Sequence, residues 1–377
     1  MPSQTSPKIS YDIAVIGSGV AGLGAAAAFA KRGFRVAVIS RKGVGGEATP
    51  RAAGILDPLL EQNQKSPLIP AAIEAFRLFP GFLKELKRCT GSDADYKRTG
   101  MLYLAVNQSE KKELQKRFAW QKKWMPSLEW LEHSRILKRF PEASPEAICG
   151  LFYPEVGKIH APKFLRDYRR YVRGLGVKFY DSRTYPRIVR LRNGGFVIKS
   201  SKGVLAAAKV INAAGAWSPD KRLLGKKLPV SPVRGQMLIL KGKKNLSTIF
   251  HSLTGGYLVP WGKGVHLAGS TVEFAGFRGT VTSKGRKDIL KKVRSICPET
   301  ARMKVVGSWA GLRPYSHDKM PVMGEVPGQA NYYAATGYFR SGILLGAFLG
   351  DQLAEAILTG RSAPLLQPFD ARRFAKA

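Results

Sequence analysis

Residues 11–40, YDIAVIGSGVAGLGAAAAFAKRGFRVAVIS, decide how the chain folds. Ile13, Ala14, Val15 and Ile16 form a short apolar run that reads as a buried parallel strand. Gly17, Gly19 and Gly22 follow in G-x-G-x-x-G spacing, and an Ala-rich helix runs to about Arg32. Gly33 suits the helix C-terminus, and Arg35–Ile39 makes a second strand. Strand, glycine turn, helix and strand together match the dinucleotide fingerprint. Gly17 permits the tight turn, Gly19 lets the backbone approach a pyrophosphate, and Gly22 lets helix pack on strand. The helix N-terminus then offers N–H groups and a partial positive charge to that pyrophosphate. A nucleotide cofactor is therefore expected, with Ser18 and Val20 in the turn.

One part of the fingerprint is missing. The carboxylate expected after the second strand, which would take the ribose hydroxyls, falls at Ser40, followed by Arg41. A serine offers a weaker, uncharged acceptor. Arg41 fits either a 2′-phosphate, and hence NADP, or a solvated position.

At 377 residues the chain predicts two domains. The longest uncharged run, Ile13–Ala30, holds four glycines and starts like a strand, so neither a membrane span nor a signal peptide is expected. Cys89, Cys149 and Cys297 are odd in number, far apart and without metal-ligand spacing. They read as reduced thiols, mostly buried, in a cytoplasmic protein. No metal site is expected.

The net charge is +36, from 62 Lys+Arg against 26 Asp+Glu. One concentration is the expected helix Pro162–Leu175, which sets Arg166, Arg169, Arg170 and Arg173 against an apolar face of Phe164, Leu165, Tyr168, Tyr171, Val172 and Leu175. A basic helix face can hold nucleic acid or anionic lipid; a solvated face is the plainer reading.

Further along, Lys42–Leu56 is a loop of small residues able to lie against a flat cofactor. Residues 68–90 read as helical with an interruption before Pro80, Lys97–Val106 alternates like a strand, and Asn107 with Glu110 forms a capping box. Strands are expected at Val177–Tyr180, Arg187–Leu191, Phe196–Lys199 and Lys209–Asn212. The last of these runs into Ala214, Gly215 and Trp217, as at the ligand edge of a parallel sheet. Val233–Leu240, Gly256–Val259 and Val265–Ala268 would build a second sheet. Gly307–Gly324 reads as punctuated loop and strand. Asn331–Thr336 then leads through Gly337, Tyr338, Phe339, Arg340, Ser341 and Gly342 into a buried helix from Ile343, which gives a second anion-stabilising N-terminus.

Taken together, GSGVAGLG (17–24), GGEATPRAAGIL (45–56), KRTGMLYLAV (97–106), INAAGAWS (211–218), PVRGQMLIL (232–240), GYLVP (256–260), WAGLRPYSHDKMPVMG (309–324) and TGYFRSGILLG (336–346) carry a resemblance over nearly the whole chain. The chain resembles the D-amino-acid oxidase family of flavoproteins, and within it the glycine oxidases of thiamine biosynthesis. The pairing of GLRP with FRSGI is the most specific part.

The resemblance implies an α/β fold: a Rossmann-like FAD-binding domain (residues 1–65, 146–225 and 305–377) and a discontinuous, mainly antiparallel α+β substrate domain (66–145 and 226–304). It implies non-covalent FAD, since no cysteine falls in the segments facing the flavin. Gly17–Gly22 would hold the pyrophosphate and Ser40 and Arg41 the adenosine ribose. Ala48, Thr49, Ala53, Gly54 and Ile55 would line the flavin, and Gly337–Ile343 would cap its pyrimidine end. The implied chemistry is hydride transfer from Cα of a small amino acid or amine to the flavin, giving an imine. Such a site needs a cation to hold the substrate carboxylate. Arg313 matches the carboxylate clamp, Tyr257 the tyrosine that assists it, and Arg340 a second arginine near the pocket. The stretch before Tyr257 departs from the family pattern, and His251 and His266 read as structural or solvated. Oxygen is the expected electron acceptor. The alternatives are a quinone-linked dehydrogenase and a flavin module acting on a tRNA wobble uridine, which the basic helix would favour; a flavin binder without turnover is a third.

Overall fold

The computed structural model describes residues 10–41, 48–59, 64, 66–224 and 228–375. The first half of the expected small-residue loop, 42–47, lies outside the described residues.

The glycine fingerprint folds as strand Tyr11–Ile16, helix Val20–Lys31 and strand Val36–Arg41. Tyr11–Ile16 is central: it pairs in parallel with Val36–Arg41 on one side and Gly203–Asn212 on the other. Lys178–Ser182 extends the sheet in parallel beyond Val36–Arg41, and Tyr332–Thr336 pairs in parallel with Gly203–Asn212. Such strands are buried on both faces and need continuous apolar runs. Ile13, Ala14, Val15 and Ile16 are accordingly no more than 1% exposed. Antiparallel Arg187–Arg190 and Phe196–Ser200 close one edge.

The second sheet has the order 304–316, 230–241, 265–269, 257–262, 249–252, 101–105, 149–153, 129–132. All its neighbours are antiparallel except Ile249–Ser252 with Met101–Ala105. The α/β class with a mainly antiparallel second layer holds. The sheet memberships, however, run past the expected domain edges. Cys149–Tyr153 and Lys304–Ser316 belong to the second sheet, while helix Leu68–Thr90 packs with Val20–Lys31 and Gly342–Thr359 in the first core.

Several local expectations are corrected. Pro80 lies inside one continuous helix, Leu68–Thr90; burial of Ala75, Phe79, Leu83 and Leu86 outweighs the missing N–H. Lys97–Val106 is two strands, Lys97–Arg98 and Met101–Ala105, parted by Gly100 at φ 68°. Met101–Ala105 is buried throughout because helices and sheet cover both faces. The cap at Asn107 forms, accepting from the Glu110 N–H at 3.0 Å, but the Glu110 carboxylate reaches the N–H of Val106 rather than that of Asn107. Gly307–Gly324 begins as part of one long strand, Lys304–Ser316.

The basic helix, Ala161–Gly174, does not present four solvated arginines. Arg169 is 6% exposed, reaches both carboxylate oxygens of Asp181 at 2.7 and 2.8 Å, and lies over the Phe179 ring. Arg170 donates to the Thr90 carbonyl. The face that would have met phosphate is partly consumed by the fold.

Gly342–Thr359 is long and apolar enough to cross a membrane. Here it crosses Val20–Lys31 at glycine-to-glycine contacts: a Cβ at Gly24 would lie 1.9 Å from the Gly346 carbonyl oxygen.

Candidate functional site

Two helix N-termini and one long strand meet at a single cavity. Gly17 adopts φ 114°, and a Cβ there would strike the Ala213 carbonyl oxygen at 2.3 Å, so this turn requires glycine. Gly22 plays the packing part, its missing Cβ making room for the Gly17 carbonyl at 2.0 Å. The helix that follows has no side-chain cap at Gly19, and the hydroxyl of Thr49 accepts weakly from Val20 N–H at 3.4 Å. Across the cavity, Gly342–Thr359 also starts without a side-chain cap, and Gly342 and Ile343 line the same space.

Of the expected residues, Gly17, Ser18, Gly19, Val20, Ser40, Arg41, Ala48, Thr49, Ala53, Gly54, Ile55, Ala214, Gly215, Trp217, Tyr257, Arg313, Tyr338, Phe339, Arg340, Gly342 and Ile343 all border this one cavity. Gly22, Gly337 and Ser341 do not border it. Gly22 sits behind the turn. Gly337, at φ 77°, and Ser341, whose N–H bonds the Tyr338 carbonyl, shape the bend that delivers Tyr338 to Arg340.

At one end, Arg41 is half-buried against two rings: its guanidinium lies 4.5 Å from the Trp217 ring centre and 5.0 Å from that of Tyr185. Ser40 donates its hydroxyl hydrogen to Asp181 at 2.9 Å. The missing strand-end carboxylate thus has a counterpart one strand away, in Asp181.

At the other end stands Arg313. It extends from the strand Lys304–Ser316, donating to the Thr271 carbonyl at 3.0 Å and to the Ser270 hydroxyl at 2.9 Å. Its surface is half-buried because it opens into the cavity while protein encloses the rest, and that burial lowers its pKa from the ordinary arginine value. The facing strand carries Gly235, where a Cβ would sit 2.2 Å from both terminal guanidinium nitrogens. Tyr257 donates its hydroxyl to the Met237 sulfur at 3.2 Å and interacts with Arg313. Burial raises its pKa above the usual phenol range, with Arg313 opposing, so the hydroxyl is protonated at neutral pH. Arg340 is pushed down to about 10 by burial and stays charged.

Arg51, Tyr185, Gly235, Met237, Gly311, Leu312, Pro314 and Thr336 also line the cavity and were not singled out in the sequence. Gly235 had a signal in VRGQM, a glycine inside an apolar strand, which marks a close approach. Arg51 had none: its placement comes from a tertiary bond to the Ala310 carbonyl at 3.0 Å.

The cavity's charge inventory is one-sided. Among the described lining residues there are four arginines and no Asp, Glu, His, Lys or Cys. His251 and His266 are both buried outside it, and burial lowers His251 to about 4. Cys149 and Cys297 are buried thiols pushed up to about 11 and about 12 by desolvation. Gly19 and Gly215 face open space, with only the Thr49 hydroxyl oxygen within 4 Å of a Cβ at Gly19 and nothing within 4 Å of one at Gly215. A flat, anionic dinucleotide fits such walls.

A glycine turn under a parallel sheet, an antiparallel platform and a shared arginine-lined cavity define a dinucleotide-binding protein. The family model for FAD-dependent oxidoreductases (DAO) matches residues 12–356, and the chain belongs to that family. Its cofactor is FAD. The glycine oxidase of Geobacillus kaustophilus is 30% identical over 369 residues, covering 96% of this chain and 97% of that protein. That of Pseudomonas aeruginosa is 30% identical over 373 residues, with 96% and 98% covered. The crystal structure of the Geobacillus kaustophilus enzyme superposes with a TM-score of 0.90 at 28% identity, covering 96% of this chain and 98% of that one.

Proposed function

We propose that the protein oxidises a small amino acid, of the glycine, sarcosine or D-amino-acid class, at its Cα. The observation that carries this reading is that the cavity's described lining residues include four arginines and no acid, one of them the enclosed Arg313. Two anionic groups are thereby accommodated: the cofactor's pyrophosphate near the glycine turn and a substrate carboxylate near Arg313. A guanidinium fork suits a planar carboxylate, and Tyr257 adds a neutral hydroxyl donor. Arg340 sits where it adds positive potential from a desolvated position. Fixing the carboxylate aims the Cα–H bond, which supplies much of the rate advantage in a reaction without acid–base groups.

Bound between the glycine turn at Gly17 and Gly19 and the N-terminus at Gly342 and Ile343, FAD would supply the acceptor for the hydride that leaves Cα. The substrate becomes an imine, which water hydrolyses to the oxo acid and ammonia or a primary amine. Oxygen takes the electron pair and becomes hydrogen peroxide; a quinone is the alternative acceptor. Names of the relatives, glycine oxidases among them, support the substrate class. No carboxylate or imidazole stands among the described lining residues to act as a base, so the amine enters unprotonated.

The test compares amines with and without a carboxylate. Glycine, sarcosine or D-alanine should yield peroxide, and methylamine and ethanolamine should not. Equal turnover of methylamine would remove Arg313 from its role.

A further inference from the structure

The strand Val230–Lys241 does two jobs on its two faces. Gly235 and Met237 face the cavity, while Arg234 and Gln236 hold the loop 271–282. Arg234 forms an ion pair with Glu273 and donates to the carbonyls of Arg278 and Thr280. Gln236 donates to Glu273 at 2.7 Å and accepts from the Thr282 N–H at 2.7 Å.

This fixed loop turns its apolar side chains outward. Val272, Phe274 and Phe277 are 50%, 72% and 55% exposed. Phe274 stands edge-on to Tyr315 at 5.4 Å, and Tyr315 to the cavity residue Phe339 at 5.2 Å; Phe277 lies 5.3 Å from the cavity residue Trp217. The loop therefore borders the cavity mouth. It runs directly into the helix Ser283–Ile296, whose Lys284, Lys287, Lys291 and Arg294 share the face opposite buried Gly285, Ile289 and Val293. That helix carries one acid, Asp288.

We propose that this loop and the first turns of the basic helix dock the protein on an anionic lipid surface, with the cavity mouth toward the bilayer. Apolar tips held rigidly outward, flanked by cations, are the pattern of an interfacial anchor: the tips enter the headgroup boundary and the lysines meet anionic lipid. The charge complementarity is strong in a chain of net charge +36. Nucleic acid is less well matched, because an aliphatic Val272 and an edge-engaged Phe274 offer poor stacking platforms.

The test is flotation of the FAD-loaded protein with phosphatidylcholine vesicles, with and without phosphatidylglycerol. Binding is expected only with phosphatidylglycerol, falling as salt rises. The pairs V272S/F274S and K284E/K287E should each weaken it by about tenfold or more, with FAD content and circular dichroism reporting that the fold is kept. The proposal is overturned if the wild type does not float, or if both variant pairs bind as the wild type does. It is equally overturned if V272S/F274S instead disperses a self-associated form, or if a single-stranded RNA oligonucleotide binds with the same dependence on both pairs.

Discussion

Gly235 and Arg313 occupy one volume: the guanidinium of Arg313 fills the space where a side chain at residue 235 would stand, its two terminal nitrogens 2.2 Å from that Cβ position. The strands carrying them are hydrogen-bonded, with Val233 opposite Arg313 and Gly235 opposite Gly311. Gly235→Ala should therefore displace the guanidinium without touching the dinucleotide end. We expect bound FAD to be retained and kcat/KM for glycine to fall on the order of a hundredfold, since a shift of about 1 Å in a positioning group costs that much. Stopped-flow reduction set beside the flavin content checks it.

The pH profile should carry one ionisation, that of the substrate. Among the described lining residues there is no carboxylate or imidazole and Tyr257 is raised above the phenol range, so the single limb belongs to the range below Arg340, which burial pushes down to about 10. The rate constant for reduction at low substrate should rise as the amine loses its proton, on the acid side of the range in which Arg340, pushed down to about 10, discharges. Changing to a substrate with a less basic amine should move the limb down by the same amount. A bell-shaped profile centred near neutrality would show a catalytic group that is not among the described lining residues.

Ser40 holds the place of the usual ribose carboxylate, its hydroxyl hydrogen committed to Asp181. Ser40→Ala removes a hydroxyl that lines the cavity and ties it to Asp181, and should weaken FAD binding roughly fivefold, the worth of one neutral hydrogen bond. Titration of the apoprotein with FAD, followed by flavin fluorescence quenching, measures it.

The two long-range helices test packing separately from chemistry. Gly24→Val drives a branched side chain into the Gly346 carbonyl and should cost about 3 kcal/mol or more. Gly81→Ala, in the interior of Leu68–Thr90 with nothing within 4 Å of its Cβ position, should instead stabilise by about 0.5–1 kcal/mol. Thermal unfolding of both variants decides the pair.

Much of this was legible in the sequence because it was local. The G-x-G-x-x-G turn is a backbone requirement, and the apolar strands and the Asn107 cap are near-neighbour patterns. The resemblance carried Arg313, Tyr257 and Arg340, which composition alone would not have separated from other arginines and tyrosines. What the sequence hid was tertiary. Arg169 reads as a surface cation until Asp181 arrives from a neighbouring strand, and Arg41 reads as solvated until Trp217 and Tyr185 flank it. Pro80 reads as a break until the helix's apolar face is buried. The sheet memberships of Cys149–Tyr153 and Lys304–Ser316 depend on strand partners far away in the chain.

The most direct measurement is the visible spectrum of the FAD-loaded protein mixed anaerobically with glycine, sarcosine and D-alanine. The flavin bands of the wild type should bleach with at least one of them, and those of Arg313→Ala, with FAD still bound, should bleach at least about a hundredfold more slowly. A wild-type spectrum that none of the three changes, or an Arg313→Ala protein reduced as fast as the wild type, would contradict the account.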